Sequence, residues 1–108
     1  MTVKQLSDTL SLKPISIPNG DREVGGAYIG DLLSWVMGRA KQDDAWITIM
    51  SNRNIIAVAS LADLSCIILA EGVEPDDGVA ELALDKGINL LVSPLSAYDL
   101  AISLRDAL

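Results

Sequence analysis

The chain has no histidine, no phenylalanine and a single cysteine, and its only large rings are two tryptophans and two tyrosines. Without histidine it lacks the commonest general base, the commonest metal ligand and the usual switch near neutral pH. The lone Cys66 excludes an intramolecular disulfide and any multi-thiolate metal centre. Basic residues are also few: eight Lys and Arg stand against fifteen Asp and Glu, a net charge of −7. They form no run, and phosphate backbones are held by clustered Lys and Arg, so nucleic acid is excluded as a partner. No apolar run approaches the roughly 18–20 residues that cross a bilayer. The segment Met1 to Leu6 lacks the uninterrupted apolar core of a secretion signal. A cytoplasmic protein away from membranes is expected, and no metal or cofactor is implied.

What remains is aliphatic. Half of the 108 residues are hydrophobic, and Leu, Ile, Val and Ala must do the packing. That length supports one core and one domain, residues 1–108. A β-branched, aliphatic composition suits parallel strands buried on both faces and covered by helices.

The stretch from Ala45 to Gly72 organises the rest. Ala45 to Met50 reads as a strand and Leu64 to Ala70 as another, the most hydrophobic and therefore central. Between them Ile55 to Asp63 reads as a helix, capped by Asn52 or Asn54. This is a right-handed strand–helix–strand unit. Apart from Ser60 the helix has no polar face, so it is either sandwiched within the domain or pressed against a second subunit. A homodimer joined through Ile55, Val58, Ala59 and Ala62 is the expectation, two-fold packing being the default for soluble oligomers. Cys66, inside the central strand, is expected to be an inert buried thiol.

On either side the pattern repeats. Thr2 to Leu12 has helical spacing, with Thr2 or a neighbour as its cap. Lys13 to Ile17 alternates as a strand, and Pro14 sits near its start, where a missing amide is tolerable. Gly20 and Gly25 have the spacing of a phosphate-binding loop, but Gly26 and Ala27 stand where lysine and a hydroxyl residue are required, so nucleotide hydrolysis is rejected. Asp31 is expected to cap a helix over Leu32 to Ala40 that buries Leu32, Leu33, Val36 and Met37. A further helix ends at Lys86 with Gly87 as its C-terminal cap. Ile88 to Val92 is the last strand, and Ser96 caps a final helix over Ala97 to Ala107. The expected fold is α/β: a three-layer sandwich with a mostly parallel sheet of about four to five strands, doubly wound and covered by helices.

Taken together these segments resemble the DRTGG domain family, small α/β modules. The likeness lies in Asp21-Arg22-Glu23-Val24 with Gly26 and Ala27-Tyr28-Ile29, and in Ser51-Asn52-Arg53, where such modules commonly carry Gly-Asp-Arg. Ala70-Glu71-Gly72 stands for their Thr-Gly-Gly, followed by Val73-Glu74-Pro75, the Gly87 to Val92 strand and the Ser96-Ala97-Tyr98 helix start. The resemblance implies a bacterial accessory domain of the kind found beside phosphotransacetylases, in CBS-domain pyrophosphatases and alone. It is also similar to the N-terminal, non-catalytic domain of HPr kinase/phosphorylase. A serine-kinase label does not follow, since the P-loop half is missing. Two departures stand out: Asn52 replaces an acid, and Glu71 replaces a glycine.

Ligands of open α/β sheets bind at the carboxyl ends of the strands. The candidate ligand site is therefore Ser51, Asn52, Arg53, Glu71, Gly72 and Ser93, with Arg53 offsetting Glu71. The leading expectation is a non-catalytic regulatory module, homodimeric, sensing a small metabolite or nucleotide there. The alternative is a structural adaptor that docks a protein partner, for example of a redox or hydrogenase system, and has no pocket. Asp21, Glu23, Asp31 and Glu71 are the carboxylates from which an acid/base pair would have to come, though nothing in their spacing fixes one.

Overall fold

Ten elements follow one another in a computed structural model that describes residues 1–108. They are α1 (Val3–Leu10), β1 (Lys13–Ser16), β2 (Gly26–Ile29), α2 (Leu33–Arg39), β3 (Asp44–Thr48), α3 (Asn54–Leu61), β4 (Cys66–Leu69), α4 (Val79–Lys86), β5 (Leu90–Val92) and α5 (Ala97–Ala107). The sheet order is β1-β5-β4-β3-β2; β2 to β5 run parallel and β1 pairs antiparallel with β5. β4 is central, as its composition requires.

Strand alternation divides the core in two. Trp46, Ile67, Leu69, Leu90 and Val92 face one side, against Val36 of α2, Ile55 and Ala59 of α3, and Val79 and Ala83 of α4. Ala45, Ile47, Cys66, Ile68 and Leu91 face the other, against Val3 and Leu6 of α1 and Leu100 and Leu104 of α5. The result is the expected three-layer sandwich. One part of the expectation is corrected: the parallel strands β2, β3, β4 and β5 are laid down in a single direction, with all three crossover helices on one face. The doubly wound pattern is absent from that series, and only α5 and α1 cover the opposite face.

Local chemistry sets the helix ends. The Thr2 hydroxyl accepts from the Gln5 amide at 3.1 Å, and the Thr2 amide donates to the Gln5 side chain at 2.8 Å, a reciprocal capping box. Gly87, at φ 72°, closes α4 in the left-handed conformation that glycine adopts without a Cβ penalty. The Ser96 hydroxyl accepts from the Asp99 amide at 3.1 Å and opens α5.

Asp31 behaves differently from expectation. Its carboxylate accepts from the Thr48 hydroxyl at 2.8 Å and the Ile49 amide at 3.1 Å, tying the end of β2 to the end of β3. α2 is left without a side-chain cap. It buries Val36 fully and Leu33 in part and leaves Leu32, Met37 and Trp35 exposed, so its buried stripe is narrower than the expected Leu32, Leu33, Val36 and Met37. Arg39 lies over the Trp35 ring, 3.7 Å from its centroid, which shelters that exposed surface.

α3 is the middle helix of its layer, flanked by α2 and α4 and backed by the sheet. That position explains its all-round apolar sequence. Ile55 and Ala59 are fully buried, Val58 is 7% exposed and Ala62 half-buried. The interface expected on Ile55, Val58, Ala59 and Ala62 is corrected for the first three, whose side chains are spent within the protomer; Ala62 is left half-buried. The outward residues of α3 are Asn54, Ala57, Ser60 and Leu61.

Candidate functional site

The carboxyl ends of β4 and β5 are the one place where neighbouring parallel strands send their chains to opposite faces. After β4 the chain turns toward α4, and after β5 it turns toward α5. Glu71 and Gly72 bend it with two successive left-handed residues, φ 61° and 72°. The Glu71 amide donates to the Leu95 carbonyl at 2.8 Å, and the Gly72 amide to the Ser93 carbonyl at 3.0 Å. The crevice is thus laced by backbone bonds. Glu71 then places its carboxylate on the first turn of α5, accepting from the Ala97 amide at 3.1 Å. A negative group suits the unpaired amides and positive pole of a helix start. The negative charge at this helix start thus comes from within the chain.

The other expected ligand residues are also engaged. Ser51 donates its hydroxyl to Asp76 at 2.8 Å, and the Asp76 amide returns a bond to the Ser51 carbonyl at 3.0 Å. The Asn52 side chain accepts from the Asn54 amide at 2.9 Å, which starts α3. The Ser93 hydroxyl accepts from the Leu95 amide at 3.2 Å. Arg53 is the exception: it makes no ion pair with Glu71, which has turned to α5. It lines a groove of about 490 Å³ between α3 and α4 together with Asn54, Ile56, Leu61, Leu82 and Lys86. The six residues therefore do not converge. Five brace the carboxyl edge, and Arg53 opens on a neighbouring groove.

Among the carboxylates, Asp31 is committed to β3 and Glu71 to α5, while Glu23 pairs with the N-terminal amine at 2.9 Å at the opposite end of the sheet. They form no acid/base pair. Cys66 is buried, and burial pushes its thiol up to about 12, the Ser65 hydroxyl and distant Arg22 opposing only weakly. It is an inert core residue.

Sequence reasoning missed a polar cluster at the amino edge. The Arg22 guanidinium bonds Asp43 at 2.9 Å, the Asp63 carboxylate at 2.8 Å and the Asp63 carbonyl at 2.6 Å. Burial pulls the Arg22 pKa down, but hydrogen bonds and charge from Asp43 and Asp63 outweigh it and raise it above its ordinary value. Asp43 and Asp63 each occupy a left-handed turn, φ 69° and 55°, just before β3 and β4. Beside them Asn89, 2% exposed, brackets Asn19 and Ser65: it donates to the Asn19 and Ser65 carbonyls at 2.8 and 2.9 Å and accepts from the Asn19 amide at 3.0 Å. The partners lie far apart in the chain, so no local spacing marks them.

The sequence profile of the DRTGG domain matches residues 18–107. The chain belongs to the DRTGG domain family. Of the motif-like residues, Arg22 is thereby seen as a structural pin, and Glu71-Gly72 as the turn that closes the β4–β5 crevice. Among solved structures the domain is similar to the CBS and DRTGG domains of the regulatory region of a Clostridium perfringens pyrophosphatase, in complex with the activator diadenosine tetraphosphate. The TM-score is 0.69 at 18% identity, over 95% of this chain and 47% of that one. The likeness is one of fold, and this chain spans about half the length of its neighbour. No curated protein matches it.

Proposed function

We propose that this DRTGG domain is a non-catalytic regulatory or interaction module, working as a homodimer, that takes a small anionic metabolite or nucleotide beside the carboxyl edge of its sheet. Arg53 carries the reading. It is the one expected ligand residue whose side chain has no internal partner, and it shares its groove with a second unpaired cation, Lys86. In a chain of net charge −7, a groove with two free cations is where an anion meets complementary charge. The solved neighbour, a regulatory region complexed with diadenosine tetraphosphate, supports a nucleotide as the class to try first. The lack of a P-loop and the separate engagement of Asp31 and Glu71 argue against catalysis.

A thermal-shift series with ATP, ADP, diadenosine tetraphosphate and acetyl phosphate tests it. A ligand at about one hundred times its Kd stabilises by roughly 2.7 kcal/mol, and that rise in Tm should shrink in Arg53→Ala. No rise with any of the four in the wild-type protein sinks the ligand reading. The closed carboxyl edge favours the second reading in that event, a structural adaptor. Its docking face would then be the outer surface of α3 and α4, where Leu61 is 74% exposed and Leu84 62%.

A further inference from the structure

The two edges of the sheet differ in kind. β1 carries Lys13, Pro14 and a register break between Pro14 and Ser16. Charge, proline and a bulge are devices that keep an edge strand from pairing with another chain. β2, the opposite edge, reads Gly-Ala-Tyr-Ile and has none of them. On its inner side the Gly30 amide donates to the Ile47 carbonyl at 3.2 Å. Strand backbone alternates, so the amides and carbonyls of Ala27 and Ile29 point outward, unpaired.

We propose that β2 is a dimerisation edge, pairing antiparallel with β2 of a second copy about a two-fold axis at Ala27, so that one sheet runs through both protomers. This deepens the homodimer part of the reading above and is independent of its ligand.

Three observations select a second copy as the occupant. First, the strand is complementary to itself in size. Centring on Ala27 sets Gly26 opposite Tyr28 and Gly25 opposite Ile29, so each bulky residue meets a glycine, and alanine meets alanine on the axis. Second, the strand itself carries no charged side chain, so two copies meet along it without like-charge repulsion. Third, a stable interface needs about 800 Å² per partner, more than four residues of strand supply. Exposed apolar side chains flank the strand to make up the difference: Ile29 48%, Leu32 58%, Trp35 51% and Leu108 49%.

Light scattering on the full chain, wild type and Ile29→Lys, tests the proposal, with circular dichroism to confirm that the variant folds. Wild type should be a dimer, and Ile29→Lys should weaken it by about tenfold or more. Ala27→Cys gives a second readout that leaves the strand intact. Paired residues on the axis stand roughly 5.5 Å apart at Cα, within disulfide reach, and native Cys66 is buried. Oxidation should therefore trap Ala27→Cys, but not the α3 surface variant Ala57→Cys, as a covalent dimer. A monomeric wild type overturns both the homodimer and this edge. A dimer unchanged by Ile29→Lys, with no trapping through Ala27→Cys, overturns the edge alone. The nucleotide-induced Tm shift should be the same in wild type and Ile29→Lys, which separates the edge from the ligand site.

Discussion

The Glu71 carboxylate accepts a hydrogen bond from the Ala97 amide at 3.1 Å, so the residue that ends one strand starts the helix that follows the next. It does so from a left-handed backbone, φ 61°, which costs a non-glycine residue roughly 1–2 kcal/mol. The cap and the strain oppose each other at one position. Glu71→Ala keeps the strain and loses the cap, and should destabilise by about 1 kcal/mol. Glu71→Gly loses the cap but relieves the strain, and should come closer to wild type. Urea titrations of both variants check the order; Glu71→Gly as the weaker of the two contradicts this account.

Asn89→Ala should cost clearly more than a surface change. It removes the three hydrogen bonds of a side chain that is 2% exposed and leaves the buried Ser65 carbonyl without that partner, while the groups of exposed Asn19 turn to water. An unsatisfied buried group costs about 1–3 kcal/mol. A Tm drop of at least about 4 °C follows for a domain of this size, measurable by differential scanning calorimetry.

Arg22→Lys keeps the charge but not the planar fork that reaches Asp43 and Asp63 together. With the Arg22 side chain 21% exposed and the acids about half exposed, the loss is discounted for solvent, to about 1–2 kcal/mol. Arg22→Ala should lose more. Equal stability of wild type and Arg22→Lys would show that charge alone holds the pin.

Cys66 makes a pH prediction. Its thiol stays neutral in the folded chain until about 12 but ionises near 9.0 when unfolded. Between those values the unfolded state binds fewer protons, so stability is full below pH 9 and falls as pH rises toward 12. Cys66→Ala should remove that part of the alkaline loss, seen by comparing urea midpoints of the two proteins at pH 8 and pH 10.5.

Val58→Glu and Leu61→Glu lie on the same helix and should behave oppositely. Val58 is 7% exposed and Leu61 74%. The first buries an unpaired carboxylate and should unfold the chain or reduce its soluble yield. The second should change stability by no more than about 0.5 kcal/mol. Thermal melts of the pair decide whether α3 packs inward.

What could be read in advance followed the range of the interaction. Thr2 with Gln5, Gly87 after Lys86, and Ser96 before Asp99 are caps made within one turn, and sequence displays them. The parallel strands were legible because Ala45 to Thr48 and Cys66 to Leu69 are apolar on both faces. Asp31 has the form of a cap, yet its partners Thr48 and Ile49 lie at and just past the end of β3. α3 looked like an interface because its sequence reports burial but not what does the burying. The same limit separated Arg53 from Glu71: both end strands on the same edge, and only the fold shows that Glu71 turns to α5. Arg22 and Asn89 gave no local signal because each closes contacts across the chain.

The single direction in which β2, β3, β4 and β5 are laid down has a consequence for how the chain assembles. Each strand lies beside the one before it, with only a helix wound between them, so those closures span few residues. The longest closure is the one at the β1 edge. β1 must settle on β5, and Asn19 must find Asn89 seventy residues away. The sheet fills like a spool, and the N-terminal strand is the thread drawn back across it to tie off the end.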